Sequence, residues 1–246
     1  MKLRSKRGCI MLDIAMLLVT ASLILYTCRR PPKMHIDVDR TVYPVKGIDV
    51  SAHNGTIDFS RVAADSVSFV MLKTTEGTDF CDANFSTNFA AAKKAGLLVG
   101  AYHFFRFKSP GRVQARHFIE SVKDRSLDFP LVVDVEKWGN PATYHVDSVK
   151  AELAAMLSEL DRCGYRVMLY TNRHGYETFI KDDFADIPLW ICSLSRPPAI
   201  PGWKLWQHSH KGSVKGVDTP VDLNTFNGDI STFARDLRQW SERNTQ

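Results

Sequence analysis

Cysteine is scarce and unpatterned in this sequence of 246 residues. Only five cysteines occur, and two of them, Cys9 and Cys28, lie within the first 28 residues. The other three, Cys81, Cys163 and Cys192, are far apart, which excludes the paired-cysteine motifs of zinc and redox sites. One disulfide is compatible with an oxidising compartment. Because Cys163 ends a helical pattern and Cys192 lies in an apolar strand pattern, buried free thiols are at least as good an interpretation.

Two catalytic loop motifs are also missing. No glycine-rich phosphate loop follows the first strand pattern, which argues against a dinucleotide-binding open sheet. No Gly-x-Ser-x-Gly elbow occurs, so a nucleophilic triad built on Ser51, His53 and an aspartate has no support beyond the residue types.

A basic surface for nucleic acid is missing as well. The 32 basic and 27 acidic residues give a net charge of +5, but residues 1–33 contain seven of the bases and a single acid, Asp13. From Met34 onward the net charge is therefore −1. We expect no nucleic-acid partner, because no basic stripe remains to contact phosphates.

The first thirty residues are typical of an export segment. A basic start precedes an apolar run, Ile14–Tyr26, which is the length of a signal-peptide core. Residues 1–30 are predicted to be a signal peptide, cleaved after Ala21, or a membrane anchor through residues 10–26, or a lipoprotein signal ending at Cys28. A buried N-terminal helix of a cytosolic protein is the remaining alternative. The signal-peptide, anchor and lipoprotein interpretations all place the rest of the chain across the inner membrane.

Residues 31–44, with proline near both ends, are predicted to be a tether, and residues 45–240 a single domain. In this domain short apolar runs alternate with amphipathic stretches that begin and end at helix-capping residues. The predicted strands are Lys46–Asp49, Phe69–Lys73, Leu97–Phe104, Leu131–Val135, Arg166–Thr171, Leu189–Ser193, Leu205–Gln207 and Val221–Phe226. The predicted long helices run from Asp82 to Lys94, Ser109 to Lys123, Tyr144 to Cys163 and Asp229 to Trp240.

Eight strand patterns with helices behind the first five predict an α/β fold, an eight-stranded barrel whose last part is simplified. A doubly wound open sheet is the alternative. In such a barrel, functional residues gather at the carboxyl ends of the strands.

Carboxylates occupy those strand ends. Asp49 ends the first strand pattern, Asp134 and Glu136 end the fourth, and Asp222 lies in the eighth, next to the first in a closed barrel. Because strand side chains alternate, Asp134 and Glu136 point the same way. Mutual repulsion would keep at least one carboxyl protonated near neutral pH, as a general acid for glycosidic bond cleavage requires.

These acids could instead have a structural role or bind a metal ion. Strand-end acids can cap helices or pair with lysine, although the apolar neighbours of Asp134 make an unpaired charge there unfavourable. His103, Asp134 and Glu136 could also form a metal site, but a single imidazole is weak support.

Aromatic and amide side chains accompany the acids at the strand ends. Aromatic rings stack on sugars, and amides bind hydroxyl or acetamido groups, so the set predicts a carbohydrate cleft. Its members are Tyr102, His103, Tyr170, Asn172, Trp190, Trp206 and Gln207.

From Lys46 to Gly228 the sequence resembles the family 25 glycoside hydrolases, the Chalaropsis-type lysozymes. The matching segments, in order, are Gly47–Ser51, Phe69–Gly77, Gly100–Phe104, Asp134–Glu136, Leu169–Asn172, Leu189–Ile191, Trp206–Gln207 and Val221–Asn224. The resemblance implies a barrel of the (β/α)5(β)3 variant. It also places Lys73 and Glu76, in the second segment, among the substrate-binding residues.

The resemblance implies hydrolysis of the β-1,4 bond between N-acetylmuramic acid and N-acetylglucosamine in peptidoglycan. Glu136 would be the acid, with Asp49, Asp134 and Asp222 as the family's aspartates. The substrate's acetamido group would attack the anomeric carbon with Asp134 orienting it, although a direct nucleophilic role for Asp134 is also open. One departure is that Cys192, Ser193 and Leu194 stand where many relatives have a tyrosine.

We expect no cofactor and no metal, a monomer, and membrane contact only through the N-terminal segment. Two alternatives are a wall-binding module of the same fold with weak turnover and a glycosidase of chitin-like polymers. The four acids argue against the first. Only Asp-x-Glu of the longer chitinase acid pattern is present, which argues against the second.

Overall fold

The computed structural model describes residues 36–241. The predicted signal or anchor, residues 1–30, lies outside the described residues, as does the beginning of the tether. Between residues 36 and 241, none of the helices has both the length and the apolar character required to cross a bilayer.

Nine strands and six α-helical segments follow one another in the described residues. The strands are β1 (Lys46–Val50), β2 (Val67–Glu76), β3 (Phe80–Cys81), β4 (Leu98–Phe104), β5 (Leu131–Asp134), β6 (Val167–Asn172), β7 (Leu189–Cys192), β8 (Trp203–Gly212) and β9 (Val221–Phe226). The helices are α1 (Phe59–Ala64), α2 (Phe85–Lys94), α3 (Gly111–Val122), α4 (Val146–Arg162), α5 (Arg173–Gly175, continued by a π-helix, Tyr176–Ile180) and α6 (Ile230–Ser241).

Eight of the strands close into a barrel. Each strand from β1 to β8, apart from β3, pairs in parallel with the next, and β9 returns antiparallel between β8 and β1. The short β3 forms a hairpin with the end of β2. Closure confirms the predicted barrel and overturns the open-sheet alternative. Five helical connections precede three strands without helices between them, as predicted.

Alternation along the strands divides the core into two parts. On β2, Phe69 and Met71 point into the barrel, whereas Val70 and Leu72 pack against the outer helices. Glycine makes room for the large interior side chains: a Cβ on Gly47 would overlap the Phe69 ring, and one on Gly100 would overlap the Met71 thioether. The barrel is therefore filled by packed side chains.

Helix α6 covers the amino-terminal end of the barrel. Its Phe233 packs on Phe69, Phe129 and Phe226, and its Trp240 packs on Phe129. Asp229 accepts a hydrogen bond from the Thr232 backbone and so fixes the start of the helix. The apolar plug at this end leaves the carboxyl ends of the strands as the open end of the barrel.

The sequence patterns did not predict the short elements, and they underestimated the length of two strands. The elements α1, β3 and α5 were not predicted individually. In addition, β2 extends to Glu76, and β8 extends from Trp203 to Gly212. The three cysteines of the described chain are free thiols. The expectation that they are buried is wrong for Cys81 and Cys163, which are exposed, and Cys192 is only half-buried. Cys163 follows the last turn of α4, where the helix meets solvent.

Candidate active site

A cleft of about 210 Å³ opens at the carboxyl ends of the barrel strands. Its lining contains all four acids that the sequence analysis singled out, namely Asp49, Asp134, Glu136 and Asp222. They come from β1, the end of β5 and β9, which lie far apart in sequence and meet only because the barrel closes.

Asp49 and Asp222 form a pair across two strands. They are register partners in the β1–β9 ladder. The Gln207 side-chain amide donates to Asp49 Oδ2 at 2.9 Å and to Asp222 Oδ2 at 3.1 Å, and Asn224 donates to Asp49 Oδ2 at 2.8 Å. Two amides therefore hold the two carboxyl groups together.

A second layer of aromatic donors orients those amides. The Tyr170 hydroxyl donates to Gln207 Oε1 at 2.7 Å, and Trp190 Nε1 donates to Asn224 Oδ1 at 2.9 Å. Because each amide oxygen accepts from an aromatic residue, its NH2 group must face the acids. Tyr170 and Trp190 also pack against each other in a T-shaped contact.

The side chains of Asp134 and Glu136, two positions apart in the sequence, project into the same cleft. Val135 between them points outward into the core, which agrees with the predicted alternation. Asp134 is buried, and its Oδ1 atom has no hydrogen-bond partner among the described residues. A buried carboxylate oxygen without a donor is unfavourable on its own and is suited to accept a hydrogen bond from a ligand.

The environment raises the pKa of every one of these acids. Burial raises the pKa of Asp49 to about 8, and the charge of Asp222 adds to the effect. Burial also raises the pKa of Asp222 to about 6, opposed by its hydrogen bond with Asp49. The pair therefore keeps a proton to higher pH than an isolated aspartate would.

The other two acids behave in the same way. Burial, assisted by the charge of Asp49, raises the pKa of Glu136 to about 7. Burial and then the charge of Glu136 raise the pKa of Asp134 well above its ordinary value, while Lys73 opposes the shift. A carboxyl group with a pKa near neutrality can both donate and accept a proton under physiological conditions.

Cationic side chains support one wall of the cleft. Lys73 lines the cleft and pairs with Glu76 at 2.7 Å, and Glu76 also pairs with Arg106. Lys73 and Arg106 both lie over the ring of Phe104, which lines the cleft as well. Burial alone would raise the pKa of Glu76, but the two cations outweigh it and lower the pKa. Glu76 thus positions Lys73 and lies behind the cleft lining.

Two predicted sugar contacts are wrong because strand side chains alternate. Tyr102 points into the cleft, so His103 points outward, where its ring hydrogen-bonds Thr75 and Gln114. Burial lowers the pKa of His103 to about 3. With both ring nitrogens engaged outside the barrel, His103 cannot join Asp134 and Glu136 in the metal site considered above. Within residues 36–241, no group of three or more potential ligands is suited to a metal ion.

Trp206 is the second predicted sugar contact that the structure places outside the cleft. Its neighbour Gln207 faces the acids, so the Trp206 ring points outward and packs on Tyr43 and Trp203. Its Nε1 atom donates to the Ser193 carbonyl. Asn172 lies beside the cleft, where its side chain caps α5 by accepting from Gly175.

Four cleft residues were absent from the predicted binding set: Ser51, His53, Phe104 and Trp138. The period of two could have identified Phe104, which follows Tyr102 by two positions on β4, whereas Ser51, His53 and Trp138 lie beyond the ends of β1 and β5. Ser51 Oγ accepts from the backbone N–H of His53 and caps a short 3-10 turn. That contact does not involve the imidazole, so a triad gains no support.

Trp138 is held at the rim of the cleft with 79% of its surface exposed. The loop that carries it is fixed by Asn140, which accepts from the Phe107 backbone and donates to the carbonyls of Phe105 and Glu136. An exposed aromatic ring on a fixed loop beside an acid is suited to stacking on a sugar.

A closed α/β barrel with a cluster of carboxyl groups in a cleft at its open end is typical of barrel glycoside hydrolases. The model of the glycosyl hydrolases family 25 matches residues 48–217. Lysozyme M1 of Streptomyces globisporus is 33% identical over 212 residues, covering 77% of this chain and 72% of that protein. The uncharacterized protein YegX of Escherichia coli is 35% identical over 196 residues, covering 76% and 71%.

A solved structure agrees with these matches. The family 25 glycosyl hydrolase from Bacillus anthracis superposes with a TM-score of 0.76 at 33% identity, covering 84% of this chain and 98% of that one. This chain therefore belongs to glycosyl hydrolase family 25.

Proposed function

We propose that this protein is an exported muramidase. It hydrolyses the β-1,4 bond between N-acetylmuramic acid and N-acetylglucosamine of peptidoglycan, with Glu136 as general acid and base. Membership of family 25 and similarity to a protein named lysozyme support this substrate class. Export and attachment to the membrane depend on residues 1–30, which are proposed from sequence alone.

The observation that carries the proposal is the free oxygen of Asp134. Substrates with an acetamido group offer an N–H donor next to the anomeric carbon. A hydrogen bond from that N–H to Asp134 Oδ1 would satisfy the buried oxygen and turn the acetamido oxygen toward the anomeric carbon. Participation by the substrate is a known alternative to an enzyme nucleophile in glycoside hydrolysis.

Glu136 then supplies and recovers the proton. In the first step the Glu136 carboxyl protonates the leaving glycosidic oxygen while the acetamido oxygen closes a ring on the anomeric carbon. In the second step the Glu136 carboxylate takes a proton from water as the water oxygen bonds to the anomeric carbon. The bond between that carbon and the acetamido oxygen breaks, which opens the ring and restores the acetamido group. A pKa of about 7 suits both steps, because neither protonation state is strongly disfavoured near neutral pH.

The Asp49–Asp222 pair completes the cleft. A proton shared by the pair limits the negative charge beside Glu136. The Gln207 and Asn224 amides, themselves oriented by Tyr170 and Trp190, hold the pair in place. Four perturbed acids in one cleft favour catalysis over a wall-binding module that has lost turnover.

Digestion of purified peptidoglycan followed by mass analysis of the fragments tests the proposal. We expect fragments with N-acetylmuramic acid at the new reducing end and no comparable cleavage of chitin oligomers. Fragments that end in reducing N-acetylglucosamine, or equal cleavage of chitin, would overturn the assigned bond. The absence of fragments under conditions where a reference muramidase digests the same material would overturn the activity.

A further inference from the structure

A second hollow of about 510 Å³ lies next to the cleft, and we refer to it as the side pocket. It is formed at the carboxyl ends of β6, β7 and β8. Its wall consists of Asn172 to His174 from the β6–α5 junction, Ile191 to Ile200 from the end of β7 and the loop that follows, and His210 on β8.

The side pocket is basic. Its lining includes Arg173, His174, Arg196 and His210 and contains no aspartate or glutamate. Within residues 36–241 the guanidinium groups of Arg173 and Arg196 make no ion pair and no hydrogen bond, and both residues are exposed. The other wall residues include Pro197, Pro198 and Ile200, so the charged groups stand beside apolar surface.

The side pocket and the cleft share a wall. His210 Nε2 lies 2.9 Å from Gln207 Oε1, and the Gln207 amide donates to Asp49 and Asp222 inside the cleft. Cys192, whose Sγ lies 3.4 Å from His210 Nε2, belongs to the side-pocket lining. A chain attached to a sugar in the cleft would thus have direct access to the basic groups.

We propose that the side pocket binds a carboxylate of the peptide carried by the muramyl residue next to the scissile bond. This inference rests on the proposed function. The glycan offers uncharged hydroxyl and acetamido groups, whereas its peptides carry carboxylates, and arginine is suited to bind a carboxylate through two parallel hydrogen bonds. An extended peptide advances about 3.3–3.6 Å per residue, so two or three residues span ~10 Å from the sugar.

The variants Arg173→Ala and Arg196→Ala test the proposal on two soluble substrates. One is a glycan fragment bearing its peptides, and the other is the same fragment after enzymatic removal of the peptides. We expect each variant to lose about tenfold in kcat/KM on the peptide-bearing fragment, through a higher KM, because a charge-assisted hydrogen bond is lost. Activity on the stripped fragment should stay within twofold of the unmodified protein.

Arg112→Ala is the matched control. Arg112 is an exposed arginine on α3 outside both hollows, so its removal changes the net charge equally and should alter neither activity. An equal loss on both fragments, or no loss on either, would overturn the proposal.

Equilibrium binding of the two fragments separates this inference from the proposed function. Preference for the peptide-bearing fragment that disappears in Arg173→Ala and Arg196→Ala supports the side pocket even if the protein cleaves neither fragment. Cleavage of both fragments with no such preference in binding or kinetics contradicts the side pocket and leaves the muramidase activity intact.

Discussion

The protonation of Asp49 is tied to the fold. Its folded-state pKa of about 8 lies above the ordinary value, so its neutral form is the one that the folded state favours. The resulting stabilisation is complete below about pH 4 and is lost as the pH rises through 8. Asparagine at this position resembles the protonated acid, since it can donate to Asp222 while accepting from the amides.

In the Asp49→Asn variant, the free energy of unfolding should therefore decrease less as the pH rises. We expect its melting temperature to fall less than that of the unmodified protein between pH 6 and pH 9, with a relative gain of at least about 1 kcal/mol at pH 9. Thermal unfolding followed by circular dichroism measures this, and parallel melting curves for the two proteins across the range would contradict the raised pKa.

Trp138 offers a test of substrate contact without a stability effect. Its ring is 79% exposed, so Trp138→Ala should leave the melting temperature nearly unchanged. Loss of a stacking contact should raise KM on glycan fragments on the order of fivefold, with little change in kcat. An unchanged KM would show that the ring does not contact the sugar.

At the scale of elements, the loop after β5 places both Glu136 and Trp138. Asn140 holds this loop through three hydrogen bonds to the backbone. Asn140→Ala should lower kcat/KM by about tenfold or more, because small displacements of a catalytic group are costly, and should reduce stability by about 1–3 kcal/mol.

Asn227→Ala is the matched control for the loop. Asn227 also bonds a backbone carbonyl, that of Trp203, but it lies outside the cleft lining. This variant should lose stability without a comparable loss of activity per folded molecule. Equal losses of kcat/KM in the two variants would mean that the Asn140 effect comes from general destabilisation.

Strand periodicity predicted the barrel and the meeting of the four acids, because both follow from alternation and the order of elements. The same rule, applied to adjacent residues, would have excluded His103 once Tyr102 was placed inward and Trp206 once Gln207 was placed inward. The side pocket could not have been predicted. Its residues come from three segments without any periodic pattern, and their proximity depends on how β6, β7 and β8 end.

At the scale of the whole molecule, residues 36–241 belong to one compact unit. A chain that starts at Met34 should be soluble and should cleave soluble glycan fragments with kcat/KM within about twofold of the full chain. Among residues 36–241, the cleft lining begins at Asp49. Activity assays after a check of folding by circular dichroism test this expectation. A folded but inactive chain would show that the leader contributes to catalysis.

In the proposed muramidase reaction, Glu136 transfers the proton. The most direct measurement is the rate at which reducing N-acetylmuramic acid ends appear when the unmodified protein and Glu136→Gln digest the same peptidoglycan. Glutamine preserves size and most hydrogen bonds but has no transferable proton, so we predict a loss of at least about 100-fold in turnover with an unchanged melting temperature. Near-normal release of these ends by a folded Glu136→Gln protein would contradict the account.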